Sequence, residues 1–176
     1  MTIPNIITIG RLIIVPLLIV MIGQGRWMVA FLLFLIAGIS DAVDGFIARR
    51  FDMRSELGAY IDPLADKALL ISIYVSLAVA DVLPGWLAII VVSRDVMILG
   101  AFLVSSVMGR PVTIKPLLVS KLNTAAQIAF AALVLGVKAF ELQLDRLVFA
   151  AILVVAALTI VSAAAYLGRW MRHMAA

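Results

Sequence analysis

The chain has 176 residues, of which 65% are hydrophobic and 14% charged, and its mean hydropathy is +1.22. These values exclude an ordinary soluble domain and predict an all-α polytopic membrane protein that forms a single domain over residues 1–176. The absence of Cys excludes disulfides and thiol chemistry, and the net charge of +4, carried by short loops, favours anionic lipid over nucleic acid as a partner.

Six apolar stretches are each long enough for a helix that crosses a hydrocarbon layer of ~30 Å. They lie at residues 3–22, 27–48, 57–80, 86–108, 121–139 and 146–168, with turn residues between them. We therefore predict six transmembrane helices. Asn5, Thr8 and Arg11 are spaced three apart, which indicates either a short N-terminal interfacial segment or ordinary helix capping with a snorkelling arginine.

The Lys and Arg residues are distributed unevenly between the two sides of this predicted topology. Ten lie on the side that holds both termini, against three, Arg26, Lys138 and Arg146, on the other. Because cytoplasmic loops of membrane proteins carry the excess of positive charge, we expect both termini on the cytoplasmic side.

Acidic residues are concentrated in one stretch, from Ser40 to Lys67, which holds six of the ten in the chain. Helical spacing puts two acids and two small residues on one face of the second span, and a glycine and two acids on one face of the third. The positions are Asp41, Asp44, Gly45 and Ala48, then Gly58, Asp62 and Asp66. Four carboxylates facing one another inside a membrane need compensating charge, and carboxylate-only ligands favour two Mg²⁺ or Mn²⁺ ions. We expect this cluster to face the cytoplasm.

A pair of metal ions held by carboxylates suits displacement at phosphorus. One carboxylate can then serve as general base for an incoming hydroxyl. Gly45, Ala48 and Gly58 would let a nucleotide lie against the helix backbone, and Arg49 would add a positive charge for a pyrophosphate.

Two further polar groups interrupt the later spans. Arg94 and Asp95 lie near the middle of the fourth span, and because adjacent helical residues do not face each other, we expect them to have separate partners. Arg94 is interpreted either as a ligand for a substrate phosphate or as part of an interhelix pair. A polar stripe begins the fifth span, near Lys115 and Lys121, and indicates either a phosphate site or interhelix hydrogen bonding. Its members are Ser120, Asn123, Thr124 and Gln127.

The acidic pattern, Asp41-x2-Asp44-Gly45-x2-Ala48-Arg49-x8-Gly58-x3-Asp62-x3-Asp66, resembles the signature of the CDP-alcohol phosphotransferase family at all eight positions. The resemblance implies a six-helix membrane enzyme, usually a homodimer, that transfers a substituted phosphate from a CDP-linked donor to an alcohol and releases CMP. It also implies that Asp41, Asp44, Asp62 and Asp66 bind two divalent metals and that Asp66 is the base. The CDP site would be lined by Asp44, Gly45, Ala48, Arg49 and Gly58.

Within the family, the segments DPLADK, VSRDVM and IKPLLVSKLNTAAQ are most similar to the CMP-forming cardiolipin synthase branch, followed by phosphatidylglycerophosphate synthases. This implies CDP-diacylglycerol as donor and phosphatidylglycerol as acceptor, with glycerol 3-phosphate as the alternative. Candidates for binding the acceptor's phosphate are Arg94, Arg110, Lys115 and Lys121. The start of the chain lacks the character of a mitochondrial leader, so we expect a bacterial inner membrane.

A divalent-cation transporter is the alternative from a different class, because acids inside a membrane also mark ion pathways. A transporter would distribute acids along its path, whereas these cluster near one face. A non-catalytic member of the family is a third alternative that the full set of acids disfavours.

Overall fold

The structure is a computed structural model that describes residues 3–50, 56–107 and 117–175. Within these ranges it describes the side chains of residues 10, 13–40, 43, 67–101 and 117–172. The described residues form six α-helices and no strand. They are α1 (Ile3–Gly23), α2 (Trp27–Arg50), α3 (Glu56–Val79), α4 (Gly85–Val107), α5 (Leu118–Ala139) and α6 (Asp145–Ala175).

The helix bounds follow the predicted spans within three residues at every end except the last. α6 continues to Ala175, seven residues beyond the predicted end at residue 168. The extra turns hold Arg169 and Arg172, and the Arg172 Nε donates to the Gly168 carbonyl at 3.1 Å. No Gly or Pro occurs in residues 169–175, so nothing in the sequence stops the helix where its apolar part ends.

α1 is a continuous helix from Ile3 to Gly23, and the interfacial placement of its first turns stays a prediction. Pro4 lies in the first turn, where the missing N–H costs no hydrogen bond. Pro16 lies inside the helix, and it removes one backbone hydrogen bond without ending the helix, as is common in membrane helices.

Three of the helix connections share one backbone geometry. Gly25, Asp81 and Glu141 follow α1, α3 and α5 with φ of 68°, 55° and 52°. In each case the next residue donates back to a carbonyl in the last turn, as the Leu142 N–H does to the Val137 carbonyl at 3.0 Å. This left-handed ending satisfies helix carbonyls that would otherwise have no partner.

The helices pack as a closed ring in the order α1, α2, α5, α6, α4, α3 and back to α1. α3 and α5 also meet across the ring, where the Tyr74 hydroxyl donates to the Gln127 carbonyl at 3.1 Å. The Tyr74 and Phe130 rings lie 6.2 Å apart at this crossing. Buried apolar side chains from all six helices fill much of the interior of the ring.

The outside of the ring is apolar. Large hydrophobic side chains are exposed on all six helices, among them Ile13, Leu32, Val79, Ile89, Leu122 and Leu153. An apolar exterior of this extent indicates a surface that contacts lipid or another protein. By length and composition, Leu118–Ala139 and Asp145–Arg172 are long and apolar enough to cross a membrane, in a search of the described residues alone. That all six helices cross remains a prediction.

Candidate functional site

The acidic motif is divided between two helix ends that lie at the same end of the bundle. Asp41 and Asp44 belong to the C-terminal part of α2, and Asp62 and Asp66 to the N-terminal part of α3. Only five residues separate Arg50 from Glu56, so these ends are at most roughly 20 Å apart. The motif side chains, Asp41, Asp44, Gly45, Ala48, Arg49, Gly58, Asp62 and Asp66, lie outside the described side chains, and their grouping stays a prediction.

The ring interior becomes polar toward the end that holds the motif. On α5, buried Phe130, Val134 and Leu135 give way to buried Gln127 and Asn123. On α6, buried Ile152 and Val155 give way to buried Thr159 and Ser162. On α4, buried apolar residues likewise give way to Arg94 and Asp95. Buried polar groups are costly unless they are hydrogen-bonded. The described side chains that could take part in chemistry therefore lie at the polar end of the interior.

A cluster of charged and hydroxyl side chains occupies this polar end. The Arg94 cluster consists of Lys67, Arg94, Asp95, Ser120, Ser162 and Tyr166. Asp95 Oδ1 accepts from Arg94 Nη1 at 2.5 Å and from Lys67 Nζ at 2.8 Å. With two cations and one carboxylate, the cluster has a net charge of +1.

Arg94 ties the cluster to two other helices. Its Nη2 donates to Ser162 Oγ at 2.9 Å and also to Ser120 Oγ, while its Nε donates to Ser162 Oγ at 3.3 Å. Its guanidinium carbon lies 5.8 Å from the centre of the Tyr166 ring, within the range of a cation–π contact. Arg94 is 3% exposed, and donors on all three of its nitrogens are in use.

The prediction that Arg94 and Asp95 have separate partners is wrong in one respect. Each bonds to other helices, as expected, but they also bond to each other. The physical reason is the length of the arginine side chain, which lets the guanidinium reach back to a neighbour whose Cβ points elsewhere. Hydrogen bonds from all three nitrogens to groups of the protein favour the interhelix interpretation of Arg94, and its contact with an acceptor phosphate stays a prediction.

A second polar group lies one turn deeper, between α5 and α6. Gln127 Nε2 donates to Thr159 Oγ1 at 3.3 Å, and the Thr159 hydroxyl donates to Asn123 Oδ1 at 2.9 Å. Asn123 Nδ2 is buried and has no hydrogen-bond partner. The Thr124 hydroxyl bonds within its own helix, to the Ser120 carbonyl at 3.1 Å. The predicted stripe on α5 thus serves interhelix bonding at Asn123 and Gln127.

The other three candidates for binding the acceptor's phosphate are basic residues at or before the start of α5. Lys121 is exposed near the start of that helix, at the motif end of the bundle. Arg110 and Lys115 lie outside the described residues. Among the residues whose side chains are described, no group of three or more His, Cys, Asp or Glu could hold a metal ion. The four motif aspartates lie outside that search, and the metal site predicted on them, whose carboxylate-only donor set fits Mg²⁺ or Mn²⁺, stays a prediction.

Sequence reasoning misses several members of the polar interior. It uses Lys67 only to assign the side of the membrane, and it treats the sixth span as plainly apolar. Thr159, Ser162 and Tyr166 nevertheless give a periodic signal: they are spaced three and four apart on α6, which places them on one helical face.

Comparison with known proteins matches residues 1–162 to the family described as CDP-alcohol phosphatidyltransferase. The chain is similar to a probable cardiolipin synthase (CMP-forming) of Drosophila melanogaster, with 40% identity over 77% of this chain and 47% of the fly protein. It is 36% identical to the cardiolipin synthase (CMP-forming) of Homo sapiens, over 80% of this chain and 52% of the human protein. It is 34% identical to the CDP-diacylglycerol–glycerol-3-phosphate 3-phosphatidyltransferase of Bacillus subtilis, over 79% of each. The chain thus spans about half the length of the fly and human relatives.

Proposed function

The chain belongs to the CDP-alcohol phosphatidyltransferase family, and from this premise we propose that it transfers the phosphatidyl group of CDP-diacylglycerol to phosphatidylglycerol. The products are cardiolipin and CMP. The observation that carries the proposal is the eight-position acidic motif, which lies within the matched residues. The similarity to two proteins named as CMP-forming cardiolipin synthases supports this choice of acceptor.

In the proposed reaction, the motif aspartates would hold two divalent ions, which would supply positive charge to offset the negative phosphates of the donor. Asp66 accepts the proton of the phosphatidylglycerol hydroxyl. That oxygen forms a bond to the phosphorus that bears diacylglycerol, and the bond from this phosphorus to the bridging oxygen of CMP breaks. Asp41, Asp44 and Asp62 would supply the other carboxylates that bind the ions.

The cytidine and pyrophosphate of the donor are assigned to the small-residue faces of α2 and α3. Gly45, Ala48 and Gly58 leave space for a nucleotide, and Asp44 and Arg49 border it. The acceptor phosphate is assigned to Lys121 together with Arg110, Lys115 and Arg94. Of the two whose side chains are described, Lys121 fits this role better, because it is exposed at the motif end, whereas Arg94 is committed to its cluster.

The second candidate function uses glycerol 3-phosphate as acceptor and produces phosphatidylglycerophosphate. The Bacillus subtilis relative, whose name specifies that acceptor, is matched over 79% of both chains. The printed name of this relative supports the second candidate, whereas the higher identity to the fly and human proteins favours the first.

We place the protein in a bacterial inner membrane with six helices crossing and the motif facing the cytoplasm. The apolar exterior and the excess of Lys and Arg on one side support this placement. A homodimer is proposed on the family resemblance. An apolar groove of about 560 Å³ on the outside of α3 and α4, bordered by Val75, Val79 and Ile89, leaves a face that a second copy or a lipid chain can fill.

The test supplies the purified chain with labelled CDP-diacylglycerol, Mg²⁺ and one acceptor at a time. We expect CMP and cardiolipin with phosphatidylglycerol, and a loss of about 10²–10⁴-fold in turnover for Asp66→Asn, because a general base contributes that much. Asp145→Asn, at the opposite end of the bundle, is the matched control and should retain activity. Phosphatidylglycerophosphate as the sole product would establish the second candidate. If no CMP is released with either acceptor, both candidate functions are wrong.

A further inference from the structure

We propose that Asp95 is a positioning residue for the reaction proposed above. Through Lys67, it fixes the part of α3 that carries Asp62 and Asp66. The inference rests on the proposed function, and it assigns roles to two residues that lie outside the acidic motif. Two cations, Arg94 and Lys67, share the buried carboxylate of Asp95.

Asp95 is buried and forms ion pairs on two helices. It is 2% exposed, and its Oδ1 accepts from Arg94 on its own helix and from Lys67 on α3. Arg94 in turn bonds Ser120 on α5 and Ser162 on α6. Four helices are thus linked through one carboxylate and one guanidinium, so the position of Asp95 is fixed from several directions.

Charge balance alone does not explain the contact with Lys67. Arg94 already neutralises Asp95, and a further charge in a buried place adds a desolvation cost. Lys67 is 27% exposed, which keeps part of its ammonium hydrated and reduces that cost. What the contact adds is a link between α3 and the other three helices.

Because Lys67 lies next to the motif on α3, the link restrains the segment that carries Asp62 and Asp66. Lys67 directly follows Asp66 and lies five residues after Asp62 in the same helix. A helix advances 1.5 Å and turns by about 100° per residue, so a restraint on Lys67 limits both sliding and rotation of the preceding turn. Groups that bind a metal or substrate need placement within about 0.5 Å. Loss of the link should therefore weaken metal binding at the motif.

The experiment compares Lys67→Met, Asp95→Asn and the double variant with the unmodified chain in lipid nanodiscs. CMP release is measured against Mg²⁺ concentration, and thermal protection by CMP is measured against Mg²⁺ concentration separately. We expect each single variant to need about 10–100-fold more Mg²⁺ in both measurements, as found for residues that orient metal ligands. The double variant should be no worse than the worse single variant, because both break the same link.

Lys67→Met is the decisive variant, because it leaves the Arg94–Asp95 pair intact and so preserves the fold if Asp95→Asn does not. Lys67→Arg keeps the ion pair and should retain most of the unmodified Mg²⁺ dependence. Lys138→Met, at the opposite end of α5 from the motif, is the matched control.

An unchanged Mg²⁺ dependence in Lys67→Met, or effects that add in the double variant, would overturn the positioning role. If the unmodified chain neither releases CMP nor gains protection from CMP with Mg²⁺, the proposed function itself fails. The two failures are therefore distinguishable.

Discussion

Arg94 is accommodated inside an apolar bundle because each of its nitrogens has a partner. A guanidinium presents donors in a planar fork, and here the fork spans a carboxylate and two hydroxyls from three helices. Sequence reasoning could predict that an ionisable residue in mid-span faces the interior. It could not predict the partners, because Ser120 and Ser162 come from helices that are distant in the chain.

Substitution of Arg94 separates its two interpretations. Arg94→Met leaves Asp95 paired with Lys67 but removes the hydrogen bonds to Ser120 and Ser162, so we expect the free energy of unfolding to fall by about 1–3 kcal/mol. Arg94→Lys keeps the charge but not the fork and should have a smaller effect. Thermal unfolding in detergent measures the loss. If stability is unchanged and only the KM for the acceptor rises, the interhelix interpretation is wrong and the phosphate interpretation is right.

Glu141 is held in a backbone conformation that side chains with a Cβ adopt at a cost. Its φ of 52° lies in the left-handed region, where non-glycine residues lose about 1–2 kcal/mol. Glu141→Gly should therefore raise the free energy of unfolding by about 1 kcal/mol, measured by thermal unfolding. Glu141→Ala keeps the Cβ and serves as the control. An equal gain from both would show that the carboxylate, and not the backbone, is the source of the cost.

At the scale of helices, span length and turn residues are enough to predict five of the six elements closely. The bounds are set by where apolar residues begin and end, which the sequence records directly. The order of helices around the ring could not be predicted in this way. α2 packs on α5 and α4 on α6, and which faces meet depends on side-chain fit across distant parts of the chain.

The candidate site likewise has a part that the sequence predicts and a part that depends on contacts between distant helices. The motif identifies the family because its spacing is local, within two helices and a short link. The Arg94 cluster is only half predictable: Arg94, Asp95 and Ser120 interrupt apolar spans visibly, whereas the roles of Lys67 and Ser162 depend on helices distant in the chain. The role of a polar residue on an otherwise apolar helix depends on the residues that it contacts on other helices.

The contact between α5 and α6 offers a test at this scale. Thr159→Val replaces the hydroxyl by a methyl group of similar size and leaves Gln127 Nε2 and Asn123 Oδ1 without partners. We expect the free energy of unfolding to fall by about 1–3 kcal/mol, the cost of unsatisfied buried groups.

The matched control is Thr124→Val, the same chemical change at a half-buried position on α5. The Thr124 hydroxyl bonds only within its own helix, to the Ser120 carbonyl, so its loss breaks no contact between helices and should have a smaller effect. Equal effects of the two substitutions on thermal unfolding would mean that the hydrogen bonds of Thr159 contribute nothing specific.

Among the described residues, buried polar side chains occur together with an apolar exterior. Buried Arg94, Asp95, Asn123 and Gln127 contrast with exposed leucine, isoleucine and valine on the helix surfaces. This distribution matches a membrane protein whose interior, and not its surface, holds the polar chemistry.

The orientation in the membrane can be tested because the chain has no native Cys. Single variants Glu141→Cys and Arg169→Cys place one thiol at each end of the bundle, and both positions are exposed. With a membrane-impermeant maleimide, we expect Glu141→Cys to react in intact cells and Arg169→Cys only in inverted vesicles. The unmodified chain gives the background. Labelling of both from the same side would contradict the predicted topology.

The ring order also has a bearing on biosynthesis. α2 is made early, yet the neighbour that covers its second flank, α5, is made late, and the ring closes only when α6 joins α4. At roughly 5–20 residues per second, the nascent chain waits on the order of ten seconds between these events. Throughout that interval α2, the helix that carries Asp41 and Asp44, is not covered by α5. Ribosome-stalled or truncated chains that end before α5 should therefore be the forms that quality-control proteases remove first.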